Sequence, residues 1–429
     1  SAPRSTCAVV VAAWARSSEP QARRRELGFD FDTRIDRRGT GAVKWDRNIA
    51  THGQAAPGEA FAGDGPPPIP LTIADMEHAA PPAVIAAMRA RLDHSVVGYT
   101  LPTTAYRAAA RDWQRRRLGW EIEEDWILPF HGVIPALYAL IRGLVPAGGK
   151  VLLQGPVFPP FFDAVERNGA RIAIDELVLE GGRYRMDFAA LERRLTEPDV
   201  AMFVLCNPHN PTGRAWTREE LLRVAELCAR HDVIVVADEI HGDLVMPGQR
   251  FVPFGSIGHP AAARAIVANG LSKTMNLAGL GLCNLMVADP ALRERVAGLL
   301  MASGAFGVNP VSEAGFVAGW REGGPWLDAL MAHVDANRAF VEGFLAERLP
   351  AARLVRPEAT YLLWVDFRGL GLSPEEISAR VTTRARVRLE NGTAFGPGGA
   401  GFFRVNAACP RSMLSEAWER IAAALGSNR

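Results

Sequence analysis

Lysine is nearly missing from this chain. Of its 48 basic residues, only Lys44, Lys150 and Lys273 are lysines. The rest are arginine, in a composition that is also rich in alanine, glycine and proline. Net charge is almost absent too, at +1 over 429 residues. That balance leaves no electrostatic footprint for nucleic acid or an anionic membrane surface. No apolar run reaches the length of a membrane-spanning helix. Cysteine is sparse: Cys7, Cys206, Cys228, Cys283 and Cys409 form neither a CxxC pair nor a metal-ligand spacing with histidine. This excludes a disulfide scaffold and a zinc module. Cys206 and Cys283 fall inside apolar runs and read as core thiols, which suits the reducing cytoplasm.

What remains is ordinary globular material, 48% hydrophobic, of a length for two domains or one large one. The scarcity of lysine makes each one informative. Lys44 stands in a polar N-terminal stretch and Lys150 follows a Gly-Gly turn, so both read as surface residues. Lys273 follows an apolar strand-like run, 265–268, and sits among small and apolar residues. A permanent ammonium there is costly. Such a lysine can lower its pKa and act as a nucleophile, or it can simply snorkel from a loop.

Along the chain, residues 1–28 read as a tail. An apolar stretch at 9–15 faintly resembles a signal-peptide core, but it is short and Arg23, Arg24 and Arg25 follow, so an extension is the preferred reading. Residues 51–70 are a Gly/Pro/Ala-rich loop. Residues 81–94 form a helix with prolines in its first turn and Val84, Ile85, Met88 and Leu92 on one face. Strands and helices then alternate. Strands are expected at 150–154, 171–177, Val200–Cys206, 233–237 and 283–288, with helices at 160–168 and 217–231. The last of these opens on the capping box Thr217 to Glu220. Buried strands alternating with helices predict an α/β protein with a mostly parallel sheet. From Pro325 onward a long helix and strands at 361–366 and Phe402–Asn406 read as a smaller α+β domain. The expected division is 1–28 tail, 29–80 contributing to the small domain, 81–320 large domain and 321–429 small domain.

Three strand ends carry the chemistry. Val200–Cys206 runs into Asn207-Pro208-His209-Asn210-Pro211-Thr212-Gly213, whose prolines fix the backbone and hold Asn207 at the carboxyl end of a strand. Asp238-Glu239-Ile240-His241 follows the apolar run 233–237 directly. Lys273 lies in Ser272-Lys273-Thr274-Met275-Asn276-Leu277-Ala278-Gly279-Leu280. This set resembles the pyridoxal-phosphate (PLP) aminotransferase superfamily of fold type I. Together with Lys44-Trp45-Asp46, Ala74-Asp75-Met76-Glu77, Gly98-Tyr99 and Arg404-Val405-Asn406-Ala407-Ala408-Cys409-Pro410-Arg411, it is similar to the MalY/PatB branch, the cystathionine β-lyase-like C–S lyases. The likeness covers about residues 29–427.

The resemblance implies roles. Lys273 would bond the cofactor and shuttle the substrate's Cα proton. Asp238 would pair with the pyridinium nitrogen. Asn207 and His241 would face the ring's phenolic oxygen, and Phe158 would stack on the ring. Gly132, Val133 and Ile134 would cradle the phosphate at a helix N-terminus, with Ser272 adding a hydroxyl. Tyr99 would reach the phosphate in the neighbouring subunit of a homodimer. Arg404 would clamp the substrate's α-carboxylate, with Tyr361 beside it and Asp75 fixing a nearby loop. Arg411 reads better as a structural ion-pair partner than as a substrate contact.

The chain departs from the branch at several points. Phe158 replaces a tyrosine, Glu77 an aspartate, His131 a small hydroxyl residue, and Glu390-Asn391-Gly392 a more usual Asn-Pro-Gly. Gly270 removes a possible hydroxyl. The expected function is β-elimination from an S-substituted cysteine, cystathionine-like or bulkier, to a thiol, pyruvate and ammonia. Transamination, or a decarboxylating or oxidative deamination, of an S-linked amino acid in specialised metabolism is the alternative. A regulatory binding protein is a third reading, against which the full catalytic set argues. Gly396 to Gly401 satisfies GxGxxG but precedes a strand, so it is no dinucleotide site.

Overall fold

Seven strands make the central sheet of the structure, a computed structural model that describes residues 28–48, 56–57 and 66–426. The stretch at 9–15 lies outside the described residues. The strands are β1 Ile127–Phe130, β2 Lys150–Gly155, β3 Arg171–Glu176, β4 Val200–Cys206, β5 Ile234–Asp238, β6 Ile266–Asn269 and β7 Cys283–Met286. Their spatial order is β1-β7-β6-β5-β4-β2-β3. From β6 to β3 every pair is parallel. β7 is antiparallel to both of its neighbours. The link from β6 to β7 holds a one-turn helix, Leu271–Thr274, and a loop at the strand ends. It makes no crossover helix, so the chain re-enters the sheet in the opposite sense.

The apolar runs are buried on both faces because successive side chains point to opposite sides. Phe203, Leu205, Val235, Ala237 and Val267 join one core. Met202, Val204, Cys206, Val236, Ile266 and Ala268 join the other. Helix α1, Pro82–Asp93, buries Val84. Leu92, read from the sequence as part of the same buried face, is 51% exposed, because the helix stops one residue later and runs into an exposed segment. Helix α2 is Val133–Leu144 and helix α3 is Arg218–Arg230, the latter with both halves of the Thr217/Glu220 capping box formed.

A second, four-stranded sheet has the order β8-β9-β11-β10. Its strands are β8 Arg353–Leu354, β9 Leu362–Asp366, β10 Glu390–Asn391 and β11 Phe402–Asn406. The short strand Ile69–Pro70 pairs in parallel with Val387–Arg388. That pairing carries Ile69 and Leu71 into a core shared with Leu363, Val365, Phe403, Val405 and Trp418. Helix α4, Gly324–Arg348, joins the two parts: Leu327 to Val334 pack in the large core and Val341 to Leu345 in the small one. Among the described residues no helix is long and apolar enough to cross a membrane.

Candidate active site

The carboxyl ends of β4, β5 and β6 converge on one crevice. β4 delivers Asn207, which is fully buried and whose N–H bonds the carbonyl of Asp238 at the end of β5. β6 ends at Asn269, and Gly270 follows with φ +158°; a Cβ there would crowd Cys283, Leu282 and the Phe316 ring. The one-turn helix Leu271–Thr274 then carries Lys273. Its ammonium is buried and donates to the Ala74 carbonyl at 2.8 Å. The Tyr361 hydroxyl donates to the same oxygen at 2.9 Å.

The loop bearing that carbonyl is tied from several sides. Asn406, on β11, donates to the carbonyls of Ile73 and Asp75, both at 2.7 Å. Asn276 accepts the Met76 N–H at 2.9 Å and donates to the His78 carbonyl at 2.8 Å. Ile73 has φ +52°, a sterically poor conformation for a β-branched residue, and such backbone persists only where the surroundings enforce it.

A charged cluster lies behind the loop, and it corrects the surface reading of Lys44. That side chain is 1% exposed, bonds the Asp75 carbonyl at 2.9 Å and pairs with Glu77 at 2.9 Å. Glu77 also accepts from Arg37 at 2.9 Å and from the Trp45 indole at 2.9 Å. Arg37 reaches Asp75 at 2.6 Å. The lysine is buried because its partners come from about thirty residues further along the chain. By contrast, Lys150 is a part-buried partner of Glu197 near the surface.

Burial sets the protonation states. Desolvation, with the Arg404 charge nearby, brings the Lys273 ammonium down to about 8. Desolvation raises the Asp238 carboxyl to about 6, against the opposing pull of the Ile240 N–H and of Lys273. Burial keeps His241 neutral, held well below the usual imidazole range, with Lys273 and Arg404 adding to the effect. Its ring stands edge-on to Tyr361 at 6.1 Å. Glu239, buried behind Asn207, is raised to about 8 by desolvation. Arg404 projects from β11, is 3% exposed, and donates to Asn210 at 2.8 Å while pairing with Glu390. Lys273, Asp238, His241, Tyr361, Arg404 and Asp75 thus influence one another in one crevice.

The remaining expected residues lie around it. Gly132 is the N-cap of α2 with φ +120° and no capping side chain, and Val133 and Ile134 form the first turn. That leaves backbone N–H groups and the positive helix end open to an anion. Phe158 is half-buried and edge-on to Phe161. Ser272 is half-buried next to Lys273. Tyr99 stands apart: it is 96% exposed, with the Phe306 ring edge-on to it. Arg411 bonds Asn337 at 2.7 Å and covers the Phe340 ring, away from the crevice. Four contributors carried no assigned role in the sequence reading: Asn276, Asn406, Asn210 and Glu390. Asn276, Asn406 and Asn210 lie inside the motifs themselves, where an amide close in sequence to Lys273, Arg404 or Asn207 was the available signal.

These residues fit a phosphorylated pyridine aldehyde. Asp238 is a buried acid whose carboxylate form a cationic ring nitrogen would stabilise. The Nδ1 atom of His241 is buried without a hydrogen-bond partner. The uncapped α2 terminus suits a phosphate. Among the described residues no group of histidine, cysteine and acidic side chains could hold a metal ion.

Comparison with known proteins agrees with this geometry. A family model described as aminotransferase class I and II matches residues 66–421. Cystathionine beta-lyase PatB of Bacillus subtilis is 39% identical over 92% of this chain and 100% of its own length. Protein MalY of Escherichia coli is 30% identical over 90% of this chain and 96% of its own. The crystal structure of cystalysin from Treponema denticola, which contains a pyridoxal 5'-phosphate cofactor, is similar with a TM-score of 0.87 and 33% identity, over 94% of this chain and 100% of that one. With the fold, the strand-end lysine and a match spanning most of its length, the chain belongs to the aminotransferase class I and II family.

Proposed function

We propose that the protein is a PLP-dependent carbon–sulfur β-lyase that cleaves an S-substituted cysteine to a thiol, pyruvate and ammonia. The observation that carries the reading is Lys273: a buried amine, near neutral in its pKa, on the Ala74 carbonyl within reach of the Asp238 and Arg404 charges. The cofactor supplies an electron sink for charge developing at the substrate's Cα. The residues do the rest. Arg404 binds the α-carboxylate and Asn207 orients the ring oxygen. Asp238 holds a proton on the ring nitrogen. Lys273 would take the Cα proton; the Cβ–S bond breaks with its electron pair leaving on sulfur, the thiolate takes up a proton, and water hydrolyses the remaining three-carbon imine to pyruvate and ammonia. The lowered pKa matters because a lysine near neutrality can both accept and return a proton at working pH.

The same reading makes Gly132, Val133, Ile134 and Ser272 the phosphate cradle and Phe158 the ring's stacking partner. It assigns residues 29–80 and 321–429 to a small domain and 81–320 to the cofactor domain, in the cytoplasm. A homodimer completes the site. Val96, Val97, Tyr99, Leu101, Met301 and Phe306 are each more than half exposed. Such a patch suits an isologous contact that delivers Tyr99 to the neighbour's phosphate.

The test is product analysis. PLP-loaded protein is incubated with a panel of S-substituted cysteines, and thiol, pyruvate, ammonia and intact keto acid are followed by mass spectrometry. Equal yields of thiol and pyruvate support the lyase. A keto acid that keeps its C–S bond overturns it in favour of transamination.

A further inference from the structure

We propose that Glu390 is a built-in competitor for the substrate's carboxylate. In the empty site it occupies the guanidinium that an amino-acid substrate must use, so substrate binding is an exchange of one carboxylate for another. The inference rests on reading Arg404 as the carboxylate clamp.

The pair is built into the sheet. Glu390 on β10 and Arg404 on β11 stand directly opposite each other in the antiparallel register, where facing side chains meet without long reach. The guanidinium is enclosed on its other sides. One nitrogen donates to the Asn210 side chain at 2.8 Å, and the Phe395 ring lies 5.1 Å below its carbon. Arg404 is 3% exposed while the Glu390 side chain is 31% exposed. The carboxylate therefore sits on the open side, where a ligand arrives.

A buried guanidinium cannot shed its proton and needs a counter-charge. Glu390 provides one when no substrate is present. A substrate carboxylate offers the same charge and the same fork geometry. Both on one guanidinium would leave a buried net negative charge, so Glu390 swings toward solvent. The backbone beneath it stays put. Gly392 packs so closely on the Gly399 carbonyl that a Cβ has no room, which confines the exchange to the Glu390 side chain. Glu390 departs from the usual pattern of the branch, and the geometry gives that departure a task. It lowers affinity for any simple carboxylate, and it favours substrates whose remaining contacts offset the exchange.

The test compares wild type, Glu390→Gln and Arg404→Lys as holoenzymes, with butyrate as the probe. Butyrate is measured both as a competitive inhibitor and by calorimetric binding. Glu390→Gln is expected to lower the butyrate Ki and the substrate KM by roughly five- to ten-fold. If Glu390 instead only braces Arg404, the same variant raises both constants, and that result, or no change, overturns the proposal. Arg404→Lys separates the premises. Unchanged butyrate binding in that variant refutes the clamp itself. A weakened clamp together with an unaltered Glu390→Gln Ki refutes the competitor alone. Equal thermal midpoints for wild type and Glu390→Gln show that the comparison is between folded proteins.

Discussion

Lys44→Ala tests the physical account of the loop that carries Ala74. The wild-type ammonium makes contacts at 2.9 Å to Glu77, 2.9 Å to the Asp75 carbonyl and 3.6 Å to the Asp75 carboxylate. Glu77 is 1% exposed, so truncation leaves a buried carboxylate short of one cation. Breaking a buried pair by removing one partner costs about 3–5 kcal/mol. Glu77 keeps Arg37 and the Trp45 indole, so the lower end of that range, about 3 kcal/mol, is the expected loss. Lys150→Ala is the control. Its pair with Glu197 is 3.0 Å long, but both side chains are partly exposed, and such pairs contribute about 0–1 kcal/mol. Urea unfolding of both variants, at unchanged slope, measures the difference. The double variant Lys44→Ala/Glu77→Ala is expected to show coupling of about 2 kcal/mol. Activity reports the second consequence. Lys44 holds the Asp75 carbonyl and Lys273 holds the adjacent Ala74 carbonyl, so kcat is expected to fall about ten-fold from misplacement alone. If Lys44→Ala costs no more than Lys150→Ala, the reasoning about burial and pairing is wrong.

Three further outcomes follow from named contacts. Asp238→Asn removes the acid that ends β5 and is expected to lower kcat at least about hundredfold, with a changed cofactor absorbance spectrum. Thr217→Ala deletes the side-chain half of the α3 capping box and is expected to cost about 1 kcal/mol in urea unfolding, with activity unaffected. In the cofactor-free protein Lys273 makes its own contribution to the pH dependence of stability, which is read as the difference from Lys273→Met. Its folded pKa of about 8 lies below the ordinary 10.5, so between those values the unfolded chain binds the extra proton. Stability should therefore rise from pH 8 to 10.5, by at most about 3 kcal/mol, relative to Lys273→Met, which is expected to lack this rise. Parallel pH curves for the two proteins would count against the burial of that amine.

The parts legible in the sequence are those set by local pattern. The run from Val200 to Cys206 is a strand to the residue, and Thr217 caps α3 as its spacing predicts. Continuous apolar strands imply a covered parallel sheet, and the sheet's carboxyl edge then places Asn207, Asp238 and Lys273 together. The antiparallel turn of β7 was not legible, because an apolar run carries no direction. Leu92 failed for a related reason: helical periodicity assigns a face but not the point where the neighbouring elements stop.

The illegible part of the site is the part assembled from distant chain. Lys44 reads as polar surface because its own neighbours are polar, and only Asp75 and Glu77, about thirty residues on, bury it. Asn406 reaches Ile73 across 333 residues. Glu390 meets Arg404 through strand register, which a sequence of alternating residues leaves free until pairing is known. This division has a functional logic. The strand ends hold Asn207, Asp238 and Lys273, the groups the proposed chemistry uses, and local backbone geometry suffices to aim them. Under the proposed lyase reading, substrate choice rests on what stands opposite Arg404 and behind the Ala74 loop. Those positions are reached through pairing between remote segments, so they can change without disturbing the strand ends. Glu77 and Glu390 lie in that second set: one extends a buried acid by a methylene behind the loop, the other places a charge on the clamp. On the proposed reading, specificity is therefore to be sought in the N-terminal cluster and the β10–β11 pair before the cofactor's own contacts.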